Sequence, residues 1–386
     1  MQERTSPSII DHFTELEDPR IDRHKRHSLI DIIVLTVCAV ISGAETWEDI
    51  EDYGKYKEEW LVRFLALPNG IPSHDTIRRL FIRLDPSALQ QCFLSWINAV
   101  REVTDGDVVA IDGKTLRRSA DAATGKSPLH MISAWGAANG MVLGQVKTAD
   151  HSNEITAIPT LLDLLKIKGA IVTIDAAGCQ TDIAEQIRDK KADYVLAVKG
   201  NQGTLLEDAQ FAFAEVEQQD LDHGWVDYEK TVDKGHGRIE IREYYHTDEI
   251  AWSQRIKDFP GVRSFGMVKS TRIIGEKRTT ETRYYISSLP MNAKQFGHAV
   301  RTHWSVENNL HWTLDMTFRE DDSRMRTGHS AENFAMMRRI ALSLVKRDTQ
   351  SKRSLKRRRK ICGYDNTYLE RLLFNSDTEI AHRPLI

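Results

Sequence analysis

Two short apolar runs constrain this chain more than any other feature, because each ends on a lone aspartate followed by a small residue. They are Val108-Val109-Ala110-Ile111-Asp112-Gly113 and Ala170-Ile171-Val172-Thr173-Ile174-Asp175-Ala176. A continuous apolar run of this kind reads as a strand buried on both faces. An unpaired carboxylate at its end is costly unless something compensates it. The repetition suggests neighbouring strands that bring two carboxylates to one point, and a divalent metal is the usual compensation for such a pair. A third carboxylate would complete a site, and Glu307 is the candidate.

With 386 residues the chain is long enough for two or three domains and a sizeable core. Its net charge of −3 argues against a uniformly basic surface, so any nucleic-acid site must come from local clustering. Such a cluster lies near the C-terminus, where Arg338 to Lys360 holds eleven Lys or Arg residues and a single acid, Asp348. The cysteines Cys38, Cys92, Cys179 and Cys362 form no Cys-x-x-Cys pair, which argues against a structural zinc site or a disulfide framework and fits a reducing cytosol. The first residues lack the basic and apolar blocks of a signal peptide. The most apolar stretch, Leu29 to Ala44, is too short to span a bilayer and carries Asp31, so it is expected as a core helix. These features predict a cytoplasmic protein with no membrane partner.

Residues up to about Thr104 read as helical, with Ile30, Ile33, Val34, Val37 and Ile41 at helical spacing. Ser73 can cap a short helix from Asp75 to Leu84 that shows Arg78, Arg79 and Arg83. That helix could be the second of a helix-turn-helix laid on DNA, or part of a small bundle with a solvated basic face. From Asp107 the texture changes. Asp107–Asp112, Leu129–Ala137 and Met141–Thr148 read as three consecutive strands, with Asp121 to Pro128 in the first connection and a hairpin turn at Asn139-Gly140. A helix from Glu154 to Lys166, the strand ending at Asp175, a helix from about Gln180 to Lys190 and a strand Tyr194 to Val198 follow. This order predicts an α/β fold, a mixed sheet with flanking helices. After a helix Glu207 to Glu217, four more strands are expected over Trp225–Val232, Arg238–His246, Val262–Ile273 and Thr280–Ser288, as a β-rich insertion at about 205–290. Helices resume at Asn292 and continue, with breaks, to Lys346. The predicted organisation is an all-helical N-terminal domain over 1–104, for DNA binding or an accessory role, a catalytic domain over 105–346, and a basic tail over 347–386.

On an ideal helix, Glu307 and His311 each point within ~20° of Val300, which places Glu307 in the core-facing stripe of Phe296, Val300 and Trp304. A glutamate there needs a metal or a cation beside it. Against the sheet edge it would complete an Asp-Asp-Glu cluster; alternatively it is a structural partner of Arg301 or His303. His303, Glu307 and His311 also share a helix face as a zinc site would, although the His-Glu-x-x-His pattern is absent. Hard oxygen ligands favour Mg²⁺ or Mn²⁺. Two such ions about 4 Å apart serve phosphoryl transfer, the chemistry of a nuclease or strand transferase.

The segments Ala110-Ile111-Asp112-Gly113-Lys114-Thr115, Asp175-Ala176-Ala177-Gly178-Cys179-Gln180, Val198-Lys199-Gly200-Asn201-Gln202 and His303-Trp304-Ser305-Val306-Glu307-Asn308 resemble motifs found in the same order in H-repeat-associated proteins. These are DDE transposases of bacterial insertion sequences. Val37 to Glu45 and Ile71 to Ile77 resemble the same proteins, so the likeness covers nearly the whole chain. The resemblance implies a ribonuclease H-like catalytic domain with a β-rich insertion before the glutamate. Its triad, here Asp112, Asp175 and Glu307, would hold two Mg²⁺ ions, with Mn²⁺ able to substitute. It implies cleavage at terminal inverted repeats and joining of the freed 3′ ends to target DNA. The larger group often carries a tyrosine, an arginine and a lysine where this chain has Val300, His303 and Leu314, so the hairpin route tied to that signature is not implied.

Further candidates surround the triad. Lys199 could hold a phosphate, and the amides of Asn201 and Gln202 could bond DNA backbone or bases; a polar turn between Gly200 and Gly203 is the alternative. Lys114 and Arg117 could hold the scissile phosphate or pair with the acids. Lys234, His236 and Arg238 alternate with Gly235 and Gly237 in a loop whose backbone could approach DNA closely, or in a solvated hairpin tip. Arg301 and His303 are further DNA-binding candidates. Trp304 and Trp312 could stack on an unpaired base or lie in the core. The 352–360 cluster is expected to add salt-sensitive, sequence-independent affinity. The predicted partners are double-stranded DNA, both element ends and target, and a second copy of the chain on that DNA, at the nucleoid when bound. A ribonuclease H-like nuclease without strand transfer and a catalytically silent DNA-binding relic are the alternatives.

Overall fold

The computed structural model describes residues 9–100, 104–120, 125, 127–148, 154–214, 224–235 and 237–374. Four helices come first: α1 (Leu29–Ser42), α2 (Trp47–Leu61), α3 (His74–Arg83) and α4 (Pro86–Val100). Ser28 caps α1, Thr46 and Asp49 form a capping box on α2, and Ser73 caps α3, so each start is written in a local polar residue. The connection 62–73 between α2 and α3 is far longer than a helix-turn-helix turn. Ile77, Leu80 and Phe81 bury one face of α3 and leave Arg78, Arg79 and Arg83 exposed. The basic-faced bundle is therefore the arrangement present.

The sheet follows. Its strands are β1 (Val108–Leu116), β2 (Leu129–Gly136), β3 (Met141–Lys147), β4 (Ile171–Ile174), β5 (Asp193–Val198), β6 (Asp227–Gly235), β7 (Arg238–Thr247), β8 (Ser264–Ile274) and β9 (Lys277–Ser287). Helices α5 (Glu154–Leu164), α6 (Thr181–Asp189) and α7 (Gly203–Ala212) interleave with them. The spatial order is β3-β2-β1-β4-β5-β9-β8-β7-β6 in one nine-stranded mixed sheet. β1, β4 and β5 run parallel, and every other pairing is antiparallel. The segment expected as an insertion thus extends the same sheet, with β9 hydrogen-bonded to β5. The strand expected to stop at Asp112 runs on to Leu116, because β2 keeps pairing it as far as Leu129 after β4 has ended.

Helices α8 (Ala293–His303), α9 (Trp312–Phe318), α10 (Ser330–Arg347), α11 (Leu355–Tyr364) and α12 (Asn366–Phe374) complete the fold. α10 is buried from Ser330 to Val345 at every position but Glu332 and packs on α1, α3, α4 and β3. One apolar cluster runs from Ile9 and Phe13 through α1, the sheet and α10 to Leu369 and Leu373. The N-terminal helices and the C-terminal pair therefore share a core with the sheet. Residues expected as a basic tail instead form α11 and α12 as far as Phe374; 375–386 lie outside the described residues, as do 215–217 of the expected Glu207–Glu217 helix. No single helix among the described residues is long and apolar enough to cross a membrane, and α1 is a buried core helix.

Candidate active site

Parallel register builds the centre. β1 and β4 pair Val109 with Val172 and Ile111 with Ile174, so the next residues, Asp112 and Asp175, emerge side by side where β4 ends. Both strands are buried on both faces up to that point, and Thr173 is the one polar residue among them. The Gly113 N–H donates to Asp112 Oδ1 at 2.9 Å. Burial pushes the Asp112 carboxyl up to about 7, and the charges of Glu307, Asp175 and Glu154 add to the rise. Asp175 caps a short 3₁₀ turn, Ala176–Gly178, its Oδ1 accepting the Ala177 N–H at 3.1 Å.

Glu307 arrives from the other side, but not as an ideal helix would bring it. α8 ends at His303, and Glu307–His311 forms a π-helical turn before α9. The wider turn shifts the register. Phe296 and Val300 are buried as the stripe predicts, whereas the Glu307 side chain is 71% exposed. Core burial therefore does not call for a cation beside Glu307; the side chain instead faces Asp112 and His311 at the surface. Neither Arg301 nor His303 pairs with it: Arg301 Nη2 lies 3.7 Å from Asp233, and His303 Nδ1 lies 3.0 Å from Thr173 Oγ1. Burial pushes His303 down to about 4, leaving a neutral ring fixed against β4 instead of a cation for DNA.

Among the described residues, one group gathers three possible metal ligands: Asp112, Glu307 and His311, whose donor atoms all lie within 4.8 Å of one another. His311 Nδ1 stands 3.6 Å from Asp112 Oδ2 and 3.7 Å from Glu307 Oε2. His303 is not part of this group, so the three residues of the proposed zinc face do not converge. Asp175 lies outside that group but lines the same cavity, of about 700 Å³, with Asp112, Glu307, Lys199, Arg301, His303 and Trp304. The buried Asp112 carboxyl, with Glu307 and His311 Nδ1 facing it, fits a divalent cation.

Several side chains expected at DNA are otherwise engaged. Lys114 is buried, its Nζ 2.7 Å from Asp315 and 2.9 Å from Asp321, so it pairs with acids and does not reach for phosphate. Arg117 is exposed but has its Nε 3.2 Å from Asp321. The Asn201 Nδ2–H donates to Ala176 O and the Gln202 Nε2–H to Cys179 O, both at 2.8 Å, which ties their turn to the one that follows Asp175. Lys199 is exposed at the cavity rim. Lys234 and Arg238 stand exposed at the β6–β7 tip, with Arg238 Nε 2.9 Å from Glu240; His236 lies outside the described residues. Trp304 lies on the cavity wall, half-buried under the Arg283 guanidinium at 4.4 Å, whereas Trp312 is exposed on α9. Nothing in the sequence around Arg283 marks it; only its place on β9, the strand beside β5, brings it here.

Residues 10–97 match the family model described as DDE_Tnp_1-associated, and residues 104–344 match the Transposase DDE domain. The chain is 42% identical over 378 residues to "Putative transposase YncI" of Escherichia coli O157:H7, covering 95% of this chain and 94% of the relative. It is 41% identical over 376 residues to "H repeat-associated putative transposase YhhI" of Escherichia coli (strain K12), covering 95% and 98%. Among solved structures, a cryo-EM structure of a piggyBac transposase synaptic complex with hairpin DNA aligns over 97% of this chain and 81% of that chain. Its TM-score is 0.43 and its sequence identity 11%, a likeness too loose to argue from.

Proposed function

Because the chain belongs to the DDE transposase family, we propose that it is the transposase of a bacterial insertion sequence. In this reading it cuts at the terminal inverted repeats of its element and transfers the freed 3′ ends to target DNA. The observation that carries it is the β1–β4 register, which sets Asp112 beside Asp175, with Glu307 near Asp112 and lining the same cavity. The order β3-β2-β1-β4-β5, with β1, β4 and β5 parallel, supports a ribonuclease H-like centre.

Asp112, Asp175 and Glu307 are the residues that would hold two Mg²⁺ or Mn²⁺ ions. Such ions supply activation of a nucleophilic oxygen and stabilisation of the leaving oxygen. The chain's own contribution is placement. Asp112 is central because its strand is pinned on both sides. Asp175 is held by its turn, and that turn by Asn201 and Gln202. Lys199 and Arg301 on the cavity wall would orient the phosphate backbone, and the tip with Lys234 and Arg238 would follow the duplex. Trp304, with Arg283 on its face, would meet a base at the cleavage point. Cutting and joining at two ends calls for two copies on one DNA complex.

The test is Asp112→Asn, Asp175→Asn and Glu307→Gln, each of which should abolish Mg²⁺-dependent cleavage of terminal-repeat DNA while gel-shift binding persists. Retained cleavage removes that residue from the mechanism. Cleavage by the unaltered protein without joined 3′ ends would identify a nuclease. An EDTA-resistant shift with no cleavage in Mg²⁺ would identify a silent DNA-binding relic.

A further inference from the structure

His311 is the one member of the Asp112–Glu307–His311 ligand group that lies outside the carboxylate triad. It closes the π turn that Glu307 opens, and only 5% of it is exposed. Its Nδ1 faces two carboxylate oxygens, at 3.6 Å and 3.7 Å. Those separations are too long for hydrogen bonds. They approach the roughly 3.0–3.4 Å between neighbouring donors that each meet one ion at about 2.1 Å. Three donor atoms from Asp112, Glu307 and His311 thus gather within 4.8 Å of one another, close enough to share one ion.

The far side of the ring makes no competing bond. His311 Nε2 is buried without a hydrogen-bond partner. The nearby buried carboxylate of Glu320 is taken up by cations, with Oε1 2.7 Å from Arg339 Nη1 and Oε2 3.8 Å from Lys114 Nζ. The ring is therefore held by burial at the close of the π turn, with Nδ1 as the nitrogen that faces the carboxylates.

We infer that His311 is a metal ligand through Nδ1, sharing an ion with Asp112 and Glu307. The inference rests on the metal site proposed above and adds a nitrogen to its oxygen donors. A mixed donor set moves preference from Mg²⁺ toward Mn²⁺.

Electron spin-echo envelope modulation of Mn²⁺ bound to the full-length protein tests this directly. Nitrogen modulation is expected, and it should change to the ¹⁵N pattern when histidine is ¹⁵N-labelled, a result that needs no variant to fold. His311→Gln should remove the modulation and weaken Mn²⁺ binding in calorimetry by about tenfold or more, with a smaller loss for Mg²⁺. His303→Gln should leave the modulation in place. Mn²⁺ that binds tightly without nitrogen modulation overturns the role of His311 and leaves the carboxylate site standing. Modulation that survives His311→Gln but not His303→Gln also overturns it. Failure of the unaltered protein to bind Mn²⁺ overturns the metal site itself.

Discussion

Asn201 and Gln202 use their amide N–H groups on the backbone carbonyls of Ala176 and Cys179, on either side of the turn that Asp175 caps. They are positioning residues: removing either frees a turn whose only task at the centre is to aim one carboxylate. Misplacement of a reacting group by ~1 Å costs roughly a hundredfold in rate. Asn201→Ala and Gln202→Ala should therefore lower cleavage by about ten- to a hundredfold, with DNA affinity within about twofold of the unaltered protein. Equal losses in a gel shift and a cleavage assay would return the amides to DNA contact. Lys199, exposed in the same turn, should behave in the opposite way. Lys199→Ala should weaken DNA binding across sequences and lower the salt slope by about one. The Lys199–Gln202 motif was visible in the sequence as a polar group near a strand end. Which of its atoms were already engaged was not, because those partners lie on a different loop.

Helix α8 is held at its start by the hairpin it packs against. The Asn292 N–H donates to His246 Nδ1 at 2.9 Å, the Ala293 N–H to Asp227 at 2.7 Å, and Asn292 Oδ1 accepts the Gln295 N–H. His246 stacks on Phe296 with ring centroids 4.9 Å apart. Burial pushes His246 down to about 4, so the folded protein binds fewer protons than the unfolded chain between that value and about 6.5. The stabilisation is complete above about 6.5 and is lost as pH falls toward 4, with an upper bound of about 3 kcal/mol from this group. His246→Asn, which keeps an oxygen acceptor and removes the titration, should flatten the urea-unfolding free energy over that window relative to the unaltered protein. An unchanged slope would rule out His246 as the group responsible. The apolar spacing of Phe296 and Val300 made α8 legible. The π turn after it was not, since a helical wheel assumes constant pitch and the added width is set by packing of Leu310 and His311 into the core. The two apolar strand runs were legible for a different reason. A parallel pair buried on both faces has no polar alternation to confuse the reading. The union of the insertion with the core sheet depends on β5 offering β9 an open edge, and no short window of sequence carries that information.

At the scale of the whole molecule, the C-terminal basic cluster divides into two populations with different work. Arg359 is buried: it donates to Ile41 O at 3.2 Å, Val40 O at 2.6 Å and Thr317 O, and lies 3.9 Å over the Phe318 ring. One guanidinium thus satisfies carbonyls at the ends of α1 and α9, groups a helix leaves unpaired. Arg358 likewise donates to Val345 O in the last turn of α10 and to Asp348 O just past it. Lys352, Arg353, Lys356, Arg357 and Lys360 point to solvent. A charge run cannot be sorted this way from sequence, because Arg357, Arg358 and Arg359 are chemically identical until the helix is docked. Arg359→Ala should cost about 3–5 kcal/mol in chemical denaturation, as expected when a buried charge is removed and its acceptors are stranded. Lys should not rescue it, having no fork to span three carbonyls. Replacing Lys356, Arg357 and Lys360 with Gln should change stability by no more than about 0.5 kcal/mol. The same triple replacement should weaken DNA binding and make it less steep in salt. If Arg359→Ala leaves the unfolding midpoint in place, the C-terminal helices are an appendage after all. If it lowers that midpoint sharply, they belong to the core that holds β1 and Asp112 in register.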